Sequence, residues 1–471
     1  MAIQKRIFAE KTARILYVLL FISVIPVFMG CKKFVETEPP LHELTSSVVF
    51  ENDQSALSAL AGIYARINVG PQNMLSGGVS LYAGLYADEI FNTTTNATYD
   101  PFYKNSLLAT TNAAGSRFWG HIYPVIYHCN ALLEGVSQSQ NITDSLRQQL
   151  KGEAKLMRAL CYYYLVQLYG DVPFVTSTDY RINSVMPRTP TAAILLQLES
   201  DLQEAAGQLP AQVINSNGRP NKWAARGLLS RVYMLQKKFT AAETECSAII
   251  NSGVFNLVSN LSNVFLVNSK ETIWQLMPVG TAQVNSPEGN IFIPSSATAR
   301  PTFALTSHLL NHFATNDLRR TNWLRTVTVN SISYTHPYKY KIRTNATISE
   351  ANILLRLAEI YLMRAEARAE QSRLSGSDGA LADLNIIRTR AGLPGVSAST
   401  ISEALFAIEQ ERRLELFSEW GHRYFDLKRW DKANSVLGIL KSPNWEPSDL
   451  LWPIPQSELN LNIFLTQNPG Y

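Results

Sequence analysis

Few residues in this chain combine a type and a spacing that suit catalysis. His308 and His312 lie four apart, which would place two imidazoles on one face of a helix. The intervening Leu309, Leu310 and Asn311 supply no glutamate, so the general base of a zinc-hydrolase helix is missing. Asp88-Glu89 is a carboxylate pair near aromatic residues. Glycoside hydrolysis needs two carboxyls facing each other across a sugar, and adjacent residues are a poor source of that geometry. The run Glu411, Arg412, Arg413, Glu415, Arg423, Asp426 and Arg429 is dense in charge, but it is interleaved with Leu414, Leu416, Phe417, Trp420, Tyr424, Phe425 and Trp430. Arginine forks and carboxylates at that density are expected to lock helices together. No P-loop, dinucleotide fingerprint or nucleophile elbow occurs. Catalysis is not expected.

The elements that would position a site read as helices. Asp144 to Tyr169 carries apolar residues at Leu146, Leu150, Ala154, Met157, Cys161, Leu165 and Leu168, steps of three and four that make one stripe. Asp144 is the expected cap, and Gly170 the expected stop. Ala351 to Glu370 is expected as a helix capped by Ser349, and Thr400 with Glu403 reads as a capping box. Two segments resemble helix–turn–helix repeats of about 34 residues. The first sets Trp223, Ala224, Ala225, Gly227 and Tyr233 against Phe239, Ala242 and Ala248, and the second sets Ala358, Tyr361 and Ala365 against Ala380, Leu384 and Ile387. Long stretches without helical period, about 70–115 and 253–347, read as functional loops. Within them, Glu271 to Met277 and Val327 to Tyr334 alternate as short strands do.

The N-terminus reads as an address. Lys5, Arg6, Lys11 and Arg14 precede an apolar run from Ile15 to Met29 that is too short to span a bilayer, so residues 1–30 are expected as a secretory signal. Phe28-Met29-Gly30-Cys31 resembles a lipobox, making Cys31 the lipidation site and residues 31–40 a lipidated tether. The first thirty residues hold +3 of the chain's net charge of +4, so 441 residues carry only +1 and nucleic acid is not an expected partner. Cys129, Cys161 and Cys246 show neither disulfide nor zinc spacing and are expected as buried thiols.

Five ordered stretches resemble the SusD/RagB family of outer-membrane nutrient-binding lipoproteins. They run Lys155 to Pro173, Leu354 to Ala367, Leu384 to Pro394, Glu411 to Trp430 and Trp452 to Tyr471. The resemblance implies a mainly α fold for residues 41–471: a tetratricopeptide-like helix-pair scaffold, an α-α superhelix, with long irregular loops and a few short strands. It implies a non-catalytic protein, lipid-anchored and facing outward on the outer membrane. Such a protein would bind oligosaccharides and deliver them to a SusC-like TonB-dependent transporter.

Sugars present flat C–H faces and many hydroxyls, so their sites combine aromatic platforms with amides and charges. The loop aromatics Tyr99, Phe102, Tyr103, Trp323, Tyr334 and Tyr338 are the candidate platforms, with Asn96, Asp100, Lys104 and Arg325 as polar companions. Trp323 and Tyr99 come first, then Tyr103. A peptide-binding protein of the same architecture, a surface glycoside hydrolase and a scaffold holding only a protein partner are the alternative readings. No cofactor is expected, and a structural calcium ion is left open.

Overall fold

The computed structural model describes residues 49–213, 218–279 and 284–471. The expected signal segment, Cys31 and the tether lie outside the described residues. Helix α1 (Asp53–Ile67) opens on a capping box between Asn52 and Ser55. A π-helical turn at Ala114–Trp119 leads into α2 (Gly120–Gln138). Helices α3 (Asp144–Tyr169), α4 (Thr191–Gln208), α5 (Lys222–Leu235) and α6 (Phe239–Asn251) follow. After an irregular stretch come α7 (Leu357–Glu370), α8 (Ala380–Arg390), α9 (Ile401–Glu415) and α10 (His422–Arg429). Each of α1 to α7 packs on the next, and α8 and α9 both pack on α7. This row of helix pairs is the tetratricopeptide-like scaffold that the apolar periodicity implied.

Small residues set the spacing. Ala358, Leu362, Ala365 and Ala369 form one stripe of α7 that meets Ala380, Leu384 and Ile387 of α8 and Ala404 and Ile408 of α9, all buried. At Gly227 of α5, an added Cβ would lie 3.1 Å from the Leu355 side chain, so only a glycine gives that approach without displacing its neighbour. Lys237, at φ +58°, turns the chain between α5 and α6. The Thr400–Glu403 capping box forms as expected. Helix α3 has the expected bounds and ends at Gly170, whose φ of +71° suits a residue without a side chain. Thr143, rather than Asp144, stands at its N-cap, and its N–H and hydroxyl both donate to Asp53. The three cysteines are buried in α2, α3 and α6, as expected.

Among the described residues, six strands form three antiparallel pairs. Strand β1 (Ile90–Asn92) pairs with β3 (Phe303–Leu305), and β2 (Thr272–Leu276) with β6 (Asn352–Arg356). Strands β4 (Leu324–Val329) and β5 (Ile332–Pro337) form a hairpin turning at Asn330-Ser331, where both φ angles are positive, as its two-residue loop requires.

Two expectations are corrected here. Ser349 does not cap a helix beginning at Ala351; residues 352–356 extend instead, because pairing with β2 buries them on both sides. A periodic apolar run reads the same whether strand or helix buries it, and the partner strand decides. The stretch 70–115 is not an open loop throughout either. Met74–Ala83 is helical, kinked at Ser76 and Gly77, and wholly buried. Among the described residues, no helix is long and apolar enough to cross a membrane.

Candidate functional site

The side chains expected to bind ligand fall into two groups. The first surrounds the short turn Asp100–Tyr103. Phe102 is fully buried, with its ring 4.5 Å from Tyr82 and 5.1 Å from Trp452, so it anchors the loop and presents no face to a ligand. Tyr99 is half-buried, edge-on to Phe303 at 4.8 Å, and donates its hydroxyl to Gln72 Oε1 at 3.2 Å. Gln72 Oε1 also accepts from Tyr82, which ties the loop to the buried helical turn. Asp100 accepts from Asn92 Nδ2 at 2.6 Å and from the Asn96 backbone at 3.2 Å, and Lys104 stands 3.7 Å away. Asn96 is exposed and takes the Thr98 N–H on its side-chain oxygen. Tyr103 is half-buried with Lys441 Nζ 4.2 Å from its ring centre, so one of its faces is already covered.

The second group lies on the hairpin. Trp323, a leading candidate, is completely buried: its indole N–H donates to Leu261 O at 2.9 Å, and Lys339 Nζ sits 4.8 Å from its ring centre. It closes the core beneath the hairpin and cannot serve as a platform. Arg325 stacks over Tyr338 at 5.2 Å and donates to its hydroxyl at 3.2 Å, while Lys341 Nζ lies 4.1 Å from the same ring centre. Tyr338 is therefore engaged by two cations. Tyr334, half-buried, pairs across the hairpin with Val327. The two groups are linked through β3, which carries Phe303 against Tyr99 and packs beside β5.

Between the first group and the start of α2 lies a polar cleft of about 640 Å³, lined by Asn73, Thr98, Thr111, Asn112, Ser116 and Arg117 among others. The expected residues Asn96, Tyr99 and Asp100 flank its wall at Ala97, Thr98 and Pro101 without lining it. Sequence reasoning missed the opposite wall. The signal available was the polar run Thr110-Thr111-Asn112 with Ser116-Arg117, on the edge of a stretch read as loop. Ser116 is spent locally, donating to Asn112 O at 2.9 Å, and Asn73 donates to Val69 O. Hydroxyl and amide oxygens on the cleft wall can each accept further hydrogen bonds from a ligand. Phe118, the residue after Arg117, is buried with its ring 4.8 Å from that of Trp452.

The carboxylates with catalytic potential are occupied. Asp88 takes Arg413 Nη2 at 2.6 Å and Arg423 Nε at 2.9 Å, with His308 Nε2 3.3 Å away. Burial pushes its carboxyl up, but Arg423, His308 and Arg413 together outweigh that and hold it far below the usual range. Glu89 is raised to about 8 by burial and by the Asp88 charge. The two therefore carry one charge at neutral pH, and both are buried away from any sugar. Arg413 donates to His312 Nε2 at 2.9 Å and His312 Nδ1 donates to the His308 carbonyl at 2.7 Å, so the histidine pair belongs to this cluster. Among the described residues, no group of three or more His, Cys, Asp or Glu converges as metal ligands would.

The dense charge run of α9 and α10 locks the fold, as expected. Glu415 accepts from Arg356 at 2.6 Å and from Arg319 at 3.1 Å, and also meets Arg390. Arg356 reaches on to Glu271 and Glu419, and Arg319 to Asp317 and Glu411. Arg412 grips Asp426, which Arg429 shares with Glu366.

Comparison with known proteins agrees with this architecture. Residues 314–471 match the SusD family model, and residues 59–234 match a second model, described as starch-binding and associating with the outer membrane. The SusD-like protein P25 of Formosa agariphila is 26% identical over 97% of this chain and 99% of its own length. A SusD superfamily protein from Bacteroides vulgatus, 18% identical, superimposes with a TM-score of 0.78 over 90% of this chain and all of the other. Surface glycan-binding protein A from Bacteroides uniformis, 22% identical, gives 0.75 over 88% and 99%. Helix-pair scaffold, charge-locked α9–α10 region and matched sequence models together place this chain in the SusD/RagB family.

Proposed function

We propose that this protein binds oligosaccharides without cleaving them, at the outer membrane, and passes them to a SusC-like TonB-dependent transporter. Lipid on Cys31 would hold it at the surface. The observation that carries the reading is the 640 Å³ cleft, whose walls offer hydroxyls, amides and one guanidinium but no carboxylate. Such a set recognises a polyhydroxylated ligand by hydrogen bonding, and it lacks the acid–base pair that would hydrolyse one. The SusD-family match and the glycan-binding description of a structural relative support the same ligand class. No metal or cofactor is needed for this role.

Titration calorimetry of the purified protein against a panel of neutral and acidic oligosaccharides tests the reading, with the sugars analysed afterwards for cleavage. Binding of at least one glycan, recovered intact, is the expected result. Hydrolysis of the bound sugar, or silence across every glycan, would count against it. A peptide-binding reading is favoured by one specific feature, a separate cleft of about 320 Å³ lined by Leu276, Pro278, Val279, Pro287 and Ile348. A response to mixed peptides alone would move the function there.

A further inference from the structure

Most arginines among the described residues are committed to carboxylates. Arg158, Arg231, Arg319, Arg356, Arg364, Arg412, Arg413 and Arg423 are all buried and each grips an acid. Arg117, like Arg188, Arg320 and Arg343, forms no ion pair among the described residues and bonds a neutral oxygen. It lines the polar cleft, is half-buried, and its one hydrogen bond runs to the neutral Pro71 carbonyl at 3.4 Å. Among the described residues, no carboxylate lies within ion-pair distance of it. Asp100, which flanks the cleft, is engaged by Asn92, the Asn96 N–H and Lys104.

His121, four residues after Arg117, meets the Arg66 carbonyl at 3.1 Å, which brings the end of α1 against this part of α2. The Arg66 side chain is exposed and, among the described residues, forms no ion pair. The charge of Arg66 extends to His121 and His128, adding to the burial that already lowers both imidazoles. No aromatic side chain lines the cleft, so stacking on a sugar face contributes little there. Recognition must come from hydrogen bonds and charge.

We infer that the cleft selects acidic oligosaccharides, sugars bearing a carboxylate or sulfate ester, and that Arg117 is the residue that reads the negative group. The inference rests on the carbohydrate reading above and narrows it. A guanidinium held on a fixed wall without an internal acid presents its fork to a planar or tetrahedral anion, while Thr98, Thr111 and Asn112 are placed for the sugar hydroxyls.

The test pairs ligands that differ only in charge. Oligogalacturonate and its carboxyl-reduced counterpart, a sulfated galactan oligosaccharide and its desulfated form, and inorganic sulfate alone are titrated calorimetrically into wild type, Arg117→Gln and Arg117→Lys. At least one acidic member is expected to bind about tenfold or more tighter than its neutral twin, in line with a charge-assisted hydrogen bond. That preference should shrink as salt rises. Arg117→Gln should abolish it with an unchanged circular dichroism spectrum, and Arg117→Lys should keep part of it. Neutral twins binding as well as acidic ones, or a preference that survives in Arg117→Gln, would overturn the inference and leave glycan binding standing. Inorganic sulfate binding as tightly as the sulfated sugar would overturn it too. Silence toward both members of every pair would instead count against the carbohydrate reading itself.

Discussion

The region around Glu415 and the wall around Arg117 use the same side chain for opposite ends. Around Glu415, Arg319, Arg356 and Arg390 converge on carboxylates from α9, from Glu271 just before β2 and from Glu419 before α10, all out of water. Burial alone would push the Glu415 carboxyl up, but the three guanidiniums hold it well below the usual range. Charges so deeply desolvated are tolerated only while every partner is present. At the cleft, Arg117 has one long bond to a neutral oxygen and stays half in water. One arrangement fixes how helices and strands meet, and the other leaves binding capacity unspent. An arginine's partners, more than its position in sequence, therefore separate architecture from recognition here.

Breaking the first arrangement should have the largest effect. Glu415→Ala leaves three buried guanidiniums short of a partner and should cost about 3–5 kcal/mol, read as a lower urea midpoint. Trp323→Ala tests the hairpin that sequence reasoning mistook for a platform. It removes a buried ring and the indole bond to Leu261, and should cost about 3 kcal/mol in stability while acting on the ligand only through unfolding.

Glu288 sharpens the comparison from the other side, as a buried carboxylate with no cation to pair it. Ser80 donates to its Oε1, and burial raises it to about 7. Because the folded value lies above the ordinary one, its neutral form favours folding below about pH 4.5, and that contribution is lost as pH rises to about 7. Glu288→Gln cannot ionise, so it should stabilise the protein by about 1–2 kcal/mol at pH 8 and by nearly nothing at pH 4. Equal unfolding free energies at pH 8 would show that the carboxyl is not penalised there. The smallest expected effect is that of Arg117→Gln on unfolding, within about 0.5 kcal/mol, since no internal charge depends on it. A loss as large as that of Glu415→Ala would make Arg117 structural and erase the contrast.

Much of the scaffold was legible in the sequence. The α3 bounds, the two helix pairs, the Thr400–Glu403 cap and the structural use of the α9–α10 charges all follow from local periodicity and capping chemistry. The site was legible only in part. Asn96, Tyr99 and Asp100 flank the cleft, but Phe102 and Trp323 are core. An aromatic in an irregular segment carries no signal of which way it faces. Phe102 turns inward because Tyr82 and Trp452, far apart in sequence, form its pocket, and Trp323 because Leu261 and Phe265 do.

What the sequence determined by itself is whatever residues within a few turns of one another can settle: helix period, caps, small contact residues and the balance of charge. Tertiary structure alone decided that residues 352–356 extend rather than coil, since β2 supplies their hydrogen bonds from about eighty residues away. It also decided that Arg117 is free while Arg356 is bound. Both arginines stand next to apolar residues in sequence, and the difference is whether folding brings Glu271, Glu415 and Glu419 to one of them and only a carbonyl to the other.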